Sequence, residues 1–154
     1  MPVEIGIAKV LGMQSIAAGG VEDYEAKAQE TVKLLEKFDL VYVHLKGPDE
    51  YGHDGNALGK KENIEGIDRR YFGTLLNNQA LSNAMIMISG DHSTPCIKKA
   101  HSDDPVPLLI SGDSISNDGS ERFTEAFASQ GSLGLLAGVN VLDTALKIIN
   151  NRGK

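Results

Sequence analysis

The feature that most constrains this chain is a short apolar run, residues 84–88, which leads directly into the polar segment Ser89–Pro95, Ser-Gly-Asp-His-Ser-Thr-Pro. The run contains β-branched isoleucines and stops at Gly90, so it predicts a buried strand of a parallel sheet. Open α/β sheets bind ligands beyond the carboxyl ends of their strands. Asp91 and His92, followed by His101, then offer one carboxylate and two imidazoles, a donor set suited to zinc or another transition metal. A solvated turn capped by Asp91 is the alternative for this stretch taken alone.

Strand-like and helix-like patterns alternate along the rest of the chain. Apolar residues at steps of three and four predict helices, and short β-branched runs predict strands. The predicted elements are a strand at 3–11, a helix at 22–37, a strand at 40–45, a helix at 60–77, strands at 84–88 and 106–110, a short helix at 121–129 and a helix at 139–150. This order predicts an α/β fold, with a mostly parallel sheet flanked by helices and right-handed crossovers.

Composition excludes several classes of function. The chain has 154 residues, 41% of them hydrophobic and 23% charged, which is typical of one globular domain. A net charge of −6 and the absence of tryptophan argue against nucleic acid as a partner. The single cysteine, Cys96, fits a reducing compartment, and no apolar run approaches membrane-spanning length. We therefore expect a cytoplasmic protein with no membrane partner.

A second polar loop follows the predicted strand at 40–45. Asp49 and His53 are four positions apart, so one helical turn would place both on the same side. An isolated pair of this kind is common on solvated surfaces, and that is the alternative interpretation. Because both polar loops follow a strand, we expect them to meet at one edge of the sheet. His44 lies inside the strand pattern. It is interpreted as a structural histidine or as one that contacts the metal ligands without binding the metal itself.

Five donors result from the two loops: Asp49, His53, Asp91, His92 and His101. Five protein ligands with positions left open for chemistry suit two divalent ions better than one. Two ions also relieve the repulsion between two neighbouring carboxylates. Paired metals serve phosphoryl transfer because they neutralise charge on the attacking and leaving oxygens.

The order of these motifs resembles the metal-ligand order of the alkaline phosphatase superfamily. Within it, the chain is similar to the archaeal-type, cofactor-independent phosphoglycerate mutases, and the similarity spans essentially the whole sequence. The segments that carry it are Gly6–Met13, Tyr24–Ala28, Val43–Asn56, Ser89–Cys96, His101–Pro107 and Gly131–Gly134. The resemblance implies a partial alkaline-phosphatase-like domain.

The resemblance also implies roles for individual residues. Asp49, His53 and His101 would hold one ion, and Asp91 with His92 would hold the other. The ions would be Mn²⁺, Mg²⁺, Zn²⁺ or Co²⁺, with no requirement for 2,3-bisphosphoglycerate. The substrate would be a phosphoglycerate, isomerised between its 3- and 2-forms in glycolysis through a phosphoserine. Lys9 is a candidate for binding substrate phosphate or carboxylate, with a solvated lysine as the alternative.

The chain departs from that family in one respect. The family's nucleophilic serine and a further metal-binding aspartate precede the part that this sequence matches, and no serine here stands in the nucleophile's context. We therefore expect residues 1–154 to be the C-terminal part of the metal-binding domain, with the N-terminal part and the inserted domain absent. Such a chain would be inactive alone and would associate with a missing N-terminal part or with itself.

Besides a purely structural role for the acidic loops, two alternatives stay open from the sequence. One is a metal-dependent phosphatase or phosphodiesterase of the same superfamily, which would release inorganic phosphate without isomerisation. The other is a non-catalytic metal-binding module that acts beside a separate N-terminal chain.

Overall fold

The computed structural model describes residues 2–113 and 115–150, so Met1, Ser114 and residues 151–154 of the predicted domain lie outside the described residues. Within these described residues, seven α-helices and two strands follow one another. The helices are α1 (Pro2–Val10), α2 (Tyr24–Leu35), α3 (Pro48–Asp54), α4 (Ala57–Gly66), α5 (Gly73–Leu75), α6 (Glu125–Ala128) and α7 (Val141–Asn150), and the strands are β1 (Ile86–Ser89) and β2 (Leu108–Ser111). No helix among these residues combines the length and the apolar character needed to cross a membrane.

The first element is a helix, so the strand predicted at 3–11 is wrong. The alternating residues that suggested a strand include Val3, Ile7 and Val10, whose spacing also places them on one face of a helix. The end of α1 decides between the two structures. Gly12 adopts a left-handed φ of 69°, its N–H donates to the Lys9 carbonyl at 3.2 Å, and the Met13 N–H donates to the Ala8 carbonyl at 2.8 Å. This pair of bonds satisfies the last helical carbonyls, as glycine-ended helices commonly do.

The core lies between α2 and the helical run 57–75, as the periodicity of both segments predicted. Its buried apolar members are Tyr24, Ala28, Tyr71 and Leu75. The hydroxyl of the buried Tyr71 lies 3.1 Å from Thr31 Oγ1, so its polar end is satisfied inside the core. The run 57–75 contains a π-helical turn, Ile67–Phe72, between α4 and α5. The predicted helix at 60–77 is therefore confirmed, with an irregular middle that periodicity does not reveal.

The sheet is small and antiparallel, so the mostly parallel sheet expected from the sequence is not shown by the described residues. β1 and β2 pair in the register Ile86↔Ser111 to Ser89↔Leu108. No helix lies between them, and an antiparallel bridge joins Ser93 to Ser102 inside the connection. The chain therefore folds back on itself, whereas parallel neighbours need a crossover, usually helical.

The predicted strand at 40–45 belongs to no ladder among the described residues. Val43 and Leu45 nevertheless pack against the core cluster. Both are only partly buried, and Leu40 and Tyr42 are exposed, so the apolar pattern predicts burial for only part of this segment.

The loop that follows β2 is organised by one carboxylate, that of Asp118. Its oxygens accept hydrogen bonds from the backbone N–H groups of Ser132, at 2.8 Å, and Ser120, at 3.1 Å. These bonds, with the Ser132 N–H making the largest contribution, lower the pKa of Asp118 to about 2. The connection between β2 and α6 is therefore tied to the turn after α6. The predicted helices at 121–129 and 139–150 correspond to α6, which is shorter, and to α7 with a preceding 3₁₀ turn, Gly138–Asn140.

Candidate metal centre

The first two candidate ligands stand on α3, a short helix within the segment that the sequence suggested as a loop. Pro48 occupies the first turn, where a backbone N–H has no partner within the helix, so proline loses no hydrogen bond there. Asp49 follows it. The four-residue spacing then brings Asp49 Oδ1 within 3.5 Å of His53 Nε2. The helical turn predicted from the spacing is thus present.

The other three candidates lie in the connection between β1 and β2. Asp91 and His92 come directly after β1, with Asp91 Oδ2 3.4 Å from His92 Nε2. The Ser93–Ser102 bridge turns the chain back toward this point, and His101 therefore lies beside His92. Its ring stacks on that of His92, with a centroid separation of 3.7 Å, and lies 5.0 Å from the ring of His53. The connection therefore brings His92 and His101 to α3, with Asp91 beside His92.

The two loops converge on one oxygen, Asp49 Oδ1. It lies 3.5 Å from His53 Nε2, 3.6 Å from His101 Nε2 and 3.9 Å from His92 Nδ1. The most compact group of possible ligands is Asp49, His92 and His101, whose ligand atoms all lie within 4.8 Å of one another. Three of the predicted donors thus surround Asp49 and the fifth, Asp91, lies beside His92, but the compact group contains His92 in place of His53. Proximity alone therefore does not divide the five donors between two ions.

The electrostatics of Asp49 suit a cation. Burial raises the pKa of this carboxyl, but the hydrogen bond from Thr94 and the neighbouring imidazoles of His53, His92 and His101 lower it further than burial raises it. The net pKa lies below the ordinary aspartate value, so the carboxylate is ionised and available to a metal at neutral pH. Its side chain is 44% exposed, which leaves access from solvent.

The distances also fit a metal. Two ligands of a tetrahedral Zn²⁺ with bonds of about 2.0–2.1 Å lie about 3.4 Å apart. The Asp49–His53 and Asp49–His101 separations of 3.5 and 3.6 Å, and the Asp91–His92 separation of 3.4 Å, are close to that value. Carboxylate and imidazole donors are appropriate to Zn²⁺ and Mn²⁺. The donor types and these pairwise separations therefore suit divalent ions, although the trio whose ligand atoms all lie within 4.8 Å of one another is Asp49, His92 and His101.

Two residues that the sequence did not single out take part in the site. The Lys99 carbonyl lies 3.2 Å from His53 Nδ1, and because a carbonyl only accepts, this bond leaves His53 Nε2 free for a metal. Thr94 donates from Oγ1 to Asp49 Oδ1 at 2.6 Å. A hydroxyl two positions after His92 was visible in the sequence, whereas a backbone carbonyl has no sequence signal.

The remaining singled-out residues lie elsewhere. His44 Nε2 is 4.0 Å from Glu4 Oε1 of α1, so it links that helix to the segment before α3. Lys9 is exposed in the last turn of α1. Cys96 Sγ lies 3.9 Å from the Tyr51 carbonyl and is partly buried.

Comparison with curated proteins finds relatives that are longer than this chain. It is 38% identical to the 2,3-bisphosphoglycerate-independent phosphoglycerate mutase of Pyrococcus abyssi, over 97% of this chain and 37% of that protein. It is 40% identical to the protein of the same name from Aeropyrum pernix, again over 97% of this chain and 37% of the relative. The chain therefore spans well under half the length of these relatives.

The fold is also found in a solved structure. The PH0037 protein of Pyrococcus horikoshii superposes with a TM-score of 0.88 at 37% sequence identity, over 94% of this chain and 45% of that one. The sequence profile of the Metalloenzyme superfamily matches residues 12–148, a span that contains all five candidate ligands. This chain belongs to the Metalloenzyme superfamily.

Proposed function

We propose that this chain is the metal-binding part of a cofactor-independent phosphoglycerate mutase, which interconverts 3-phosphoglycerate and 2-phosphoglycerate in the cytoplasm. The observation that carries the proposal is the convergence of three imidazoles on Asp49 Oδ1, within a chain similar to mutases along nearly its full length. Divalent ions, and not 2,3-bisphosphoglycerate, are the cofactors in this proposal. The name of these relatives, which specifies independence from that compound, supports it.

The five donors are divided between two ions in the proposal. Asp49, His53 and His101 hold the first, supported by the two distances near 3.5 Å and by the Lys99 bond that leaves His53 Nε2 free. Asp91 and His92 hold the second. Bound ions would supply positive charge for phosphate oxygens and would lower the pKa of a coordinated hydroxyl. Mn²⁺, Zn²⁺, Co²⁺ and Mg²⁺ are all candidates, and the imidazole donors favour the first three.

The phosphorylated serine lies outside this chain in the proposal. None of the five donors is a nucleophile of the required kind, and the chain matches only 37% of the length of its mutase relatives. The chain alone is therefore inactive, and turnover needs the residues that correspond to the rest of those proteins. Lys9, exposed on α1, is the candidate for contacting substrate phosphate or carboxylate.

Exposed apolar side chains support association with such a part. Val10 is 86% exposed on α1, and Leu135 and Val139 are 84% and 88% exposed near the start of α7. Burial of such side chains against a partner would remove apolar area from water, which is favourable. The partner in this proposal is the remaining part of the enzyme, with a second copy of the chain as the other outcome of a test.

Calorimetric titration with Mn²⁺ and Zn²⁺ tests the metal centre. We expect one firmly bound ion through Asp49, His53 and His101, and a weaker second one. Mutase activity is then assayed for the chain alone and after mixing with a polypeptide that corresponds to the missing part. Activity only in the mixture supports the proposal, and release of inorganic phosphate without isomerisation would favour a phosphatase. Turnover by the chain alone would contradict the placement of the serine.

A further inference from the structure

Thr94 occupies a buried position between the two halves of the centre. Only 3% of the residue is exposed. Its Oγ1 donates to Asp49 Oδ1 at 2.6 Å and lies 3.1 Å from His92 Nδ1. This one hydroxyl therefore contacts a ligand proposed for the first ion and a ligand proposed for the second.

The proton inventory of these three groups determines the direction of both hydrogen bonds of the Thr94 hydroxyl. A threonine hydroxyl has a single proton, and an ionised carboxylate can only accept. Because that proton is given to Asp49, Oγ1 must accept from His92, and His92 Nδ1 must carry a proton. The neutral ring then has its lone pair on Nε2, the atom that lies 3.4 Å from Asp91 Oδ2. His92 Nδ1, the ring atom 3.9 Å from Asp49, has no lone pair to offer a metal there.

We propose that Thr94 is a positioning residue that commits His92 to the ion of Asp91 and withholds it from the ion of Asp49. This inference rests on the proposed two-ion centre and resolves an ambiguity within it, since proximity alone groups His92 with Asp49 and His101. Partners that fix the tautomer of a metal-binding histidine are a general feature of such centres. In this centre the same hydroxyl also orients the carboxylate of Asp49, which would bind the neighbouring ion.

The surroundings of Thr94 hold its hydroxyl in this orientation. Its backbone carbonyl accepts a hydrogen bond from Lys60 Nζ at 2.8 Å. Thr94 also packs against Gly52 of α3, where an added Cβ would lie 2.5 Å from the Thr94 carbonyl oxygen and 2.9 Å from its methyl carbon. The close approach is possible only because residue 52 has no side chain, and it brings the hydroxyl within reach of Asp49 on the same helix.

The tautomer of His92 gives a direct test. Long-range ¹H–¹⁵N spectra of the metal-free chain, recorded in alkaline buffer where free imidazole is neutral, distinguish a proton on Nδ1 from one on Nε2. We expect the Nδ1–H form in the wild type and in Thr94→Ser, which keeps the hydroxyl. Thr94→Val, which keeps the shape but removes the hydroxyl, should lose that preference. Circular dichroism and thermal unfolding verify that both variants remain folded.

Zn²⁺ titration of the same three proteins tests the consequence for binding. We expect Thr94→Val to weaken the second, weaker binding step by about 10- to 100-fold, the usual effect of removing such a partner. Thr94→Ser should stay close to the wild type. An unchanged His92 tautomer in Thr94→Val, or equal losses in both variants, would overturn the inference. A wild type that binds no Zn²⁺ would instead refute the two-ion centre, and the spectra would still decide the role of Thr94 toward His92.

Discussion

Two aspartates in this chain, Asp49 and Asp118, both have a lowered pKa, and the causes differ. Asp118 accepts hydrogen bonds from the backbone N–H groups of Ser132 and Ser120. Burial raises the pKa of Asp49, but the Thr94 hydroxyl and three imidazoles lower it by more. The pKa of Asp118 is therefore lowered by backbone N–H groups. The pKa of Asp49 is lowered by side chains, and among these the imidazoles can also bind a cation.

The comparison teaches that a lowered carboxyl pKa does not by itself mark a functional site. At Asp118 the bonding partners hold two segments of chain together, so the charge has a structural role. At Asp49 the neighbours include the Nε2 atoms of His53 and His101, whose separations from Asp49 Oδ1, 3.5 and 3.6 Å, are close to those between ligands of one metal ion. The identity of the neighbours, and not the direction of the pKa change, separates the two roles.

The largest expected effect is on the stabilisation of the folded protein by Zn²⁺ when each aspartate is replaced by asparagine. A ligand present at 100 times its dissociation constant stabilises a folded protein by about 2.7 kcal/mol. We expect Zn²⁺ at such an excess to raise the free energy of unfolding of the wild type and of Asp118→Asn by about this amount. Asp49→Asn should lose most of that gain. Chemical unfolding with and without Zn²⁺ measures it, and equal gains in both variants would erase the proposed distinction.

A substitution at Gly52 should damage the Asp49 region and leave the Asp118 region intact. The methyl group of Gly52→Ala would lie 2.5 Å from the Thr94 carbonyl oxygen, so α3 and the loop after β1 must separate. Overpacking of this kind typically destabilises a protein by about 1–3 kcal/mol. Weaker Zn²⁺ binding should accompany the loss, as measured by urea unfolding and by titration.

The matched control for that substitution is Gly6→Ala. Gly6 lies within α1, and an added Cβ there would contact nothing within 4 Å. Alanine is favoured over glycine inside a helix by about 1 kcal/mol, so this variant should be as stable as the wild type or slightly more stable. Equal destabilisation of both variants would refute the close-approach explanation.

Acid sensitivity tests the structural role of Asp118. Its folded-state pKa of about 2 lies below the ordinary value of 3.8, so its contribution to stability is fully present above pH 3.8. The contribution is lost as the pH falls from there toward 2, because the unfolded chain then binds the proton more readily. Asp118→Asn should flatten this part of the stability profile, measured by urea unfolding at a series of pH values. A profile as steep as that of the wild type would show that other groups cause the acid dependence.

The smallest effect on stability is expected at Asp91. Its side chain is 60% exposed, and its Oδ2 lies 3.4 Å from His92 Nε2. Asp91→Asn should change the free energy of unfolding without metal by no more than about 0.5 kcal/mol, as is usual for exposed positions. The first Zn²⁺ step should persist while the second weakens. A lost first step would show that Asp91 belongs with Asp49.

The sequence predicted the helical core better than the sheet. In α2 and in the run 57–75, residues such as Tyr24, Ala28 and Leu75 recur at helical spacing, and burial of that face determines the structure. At 3–11 the same apolar residues fit either period, and only the capping bonds after Gly12 decide. The direction of β2 relative to β1 depends on how residues 90–107 reverse, and a hydrophobic pattern carries no information about that reversal.

The five candidate ligands were predicted from their residue types, and the structure brings them together. Their assignment to two ions remains a prediction. They meet for a different reason from the one expected, because the loops are joined by the contact between Gly52 and Thr94 and not by neighbouring ends of parallel strands. Thr94 and the Lys99 carbonyl escaped prediction because their roles depend on geometry between distant segments.

The hydrogen bond from Thr94 to Asp49 spans 45 positions of the chain and therefore has a consequence for folding. Closing a loop of that length carries an entropic penalty that local contacts do not, and contacts between distant residues slow folding. The centre can assemble only after the helical segment that bears α3 and the segment that follows β1 have come together. Ion binding by this chain would thus report that both segments have docked, and a metal would stabilise their union rather than either loop alone.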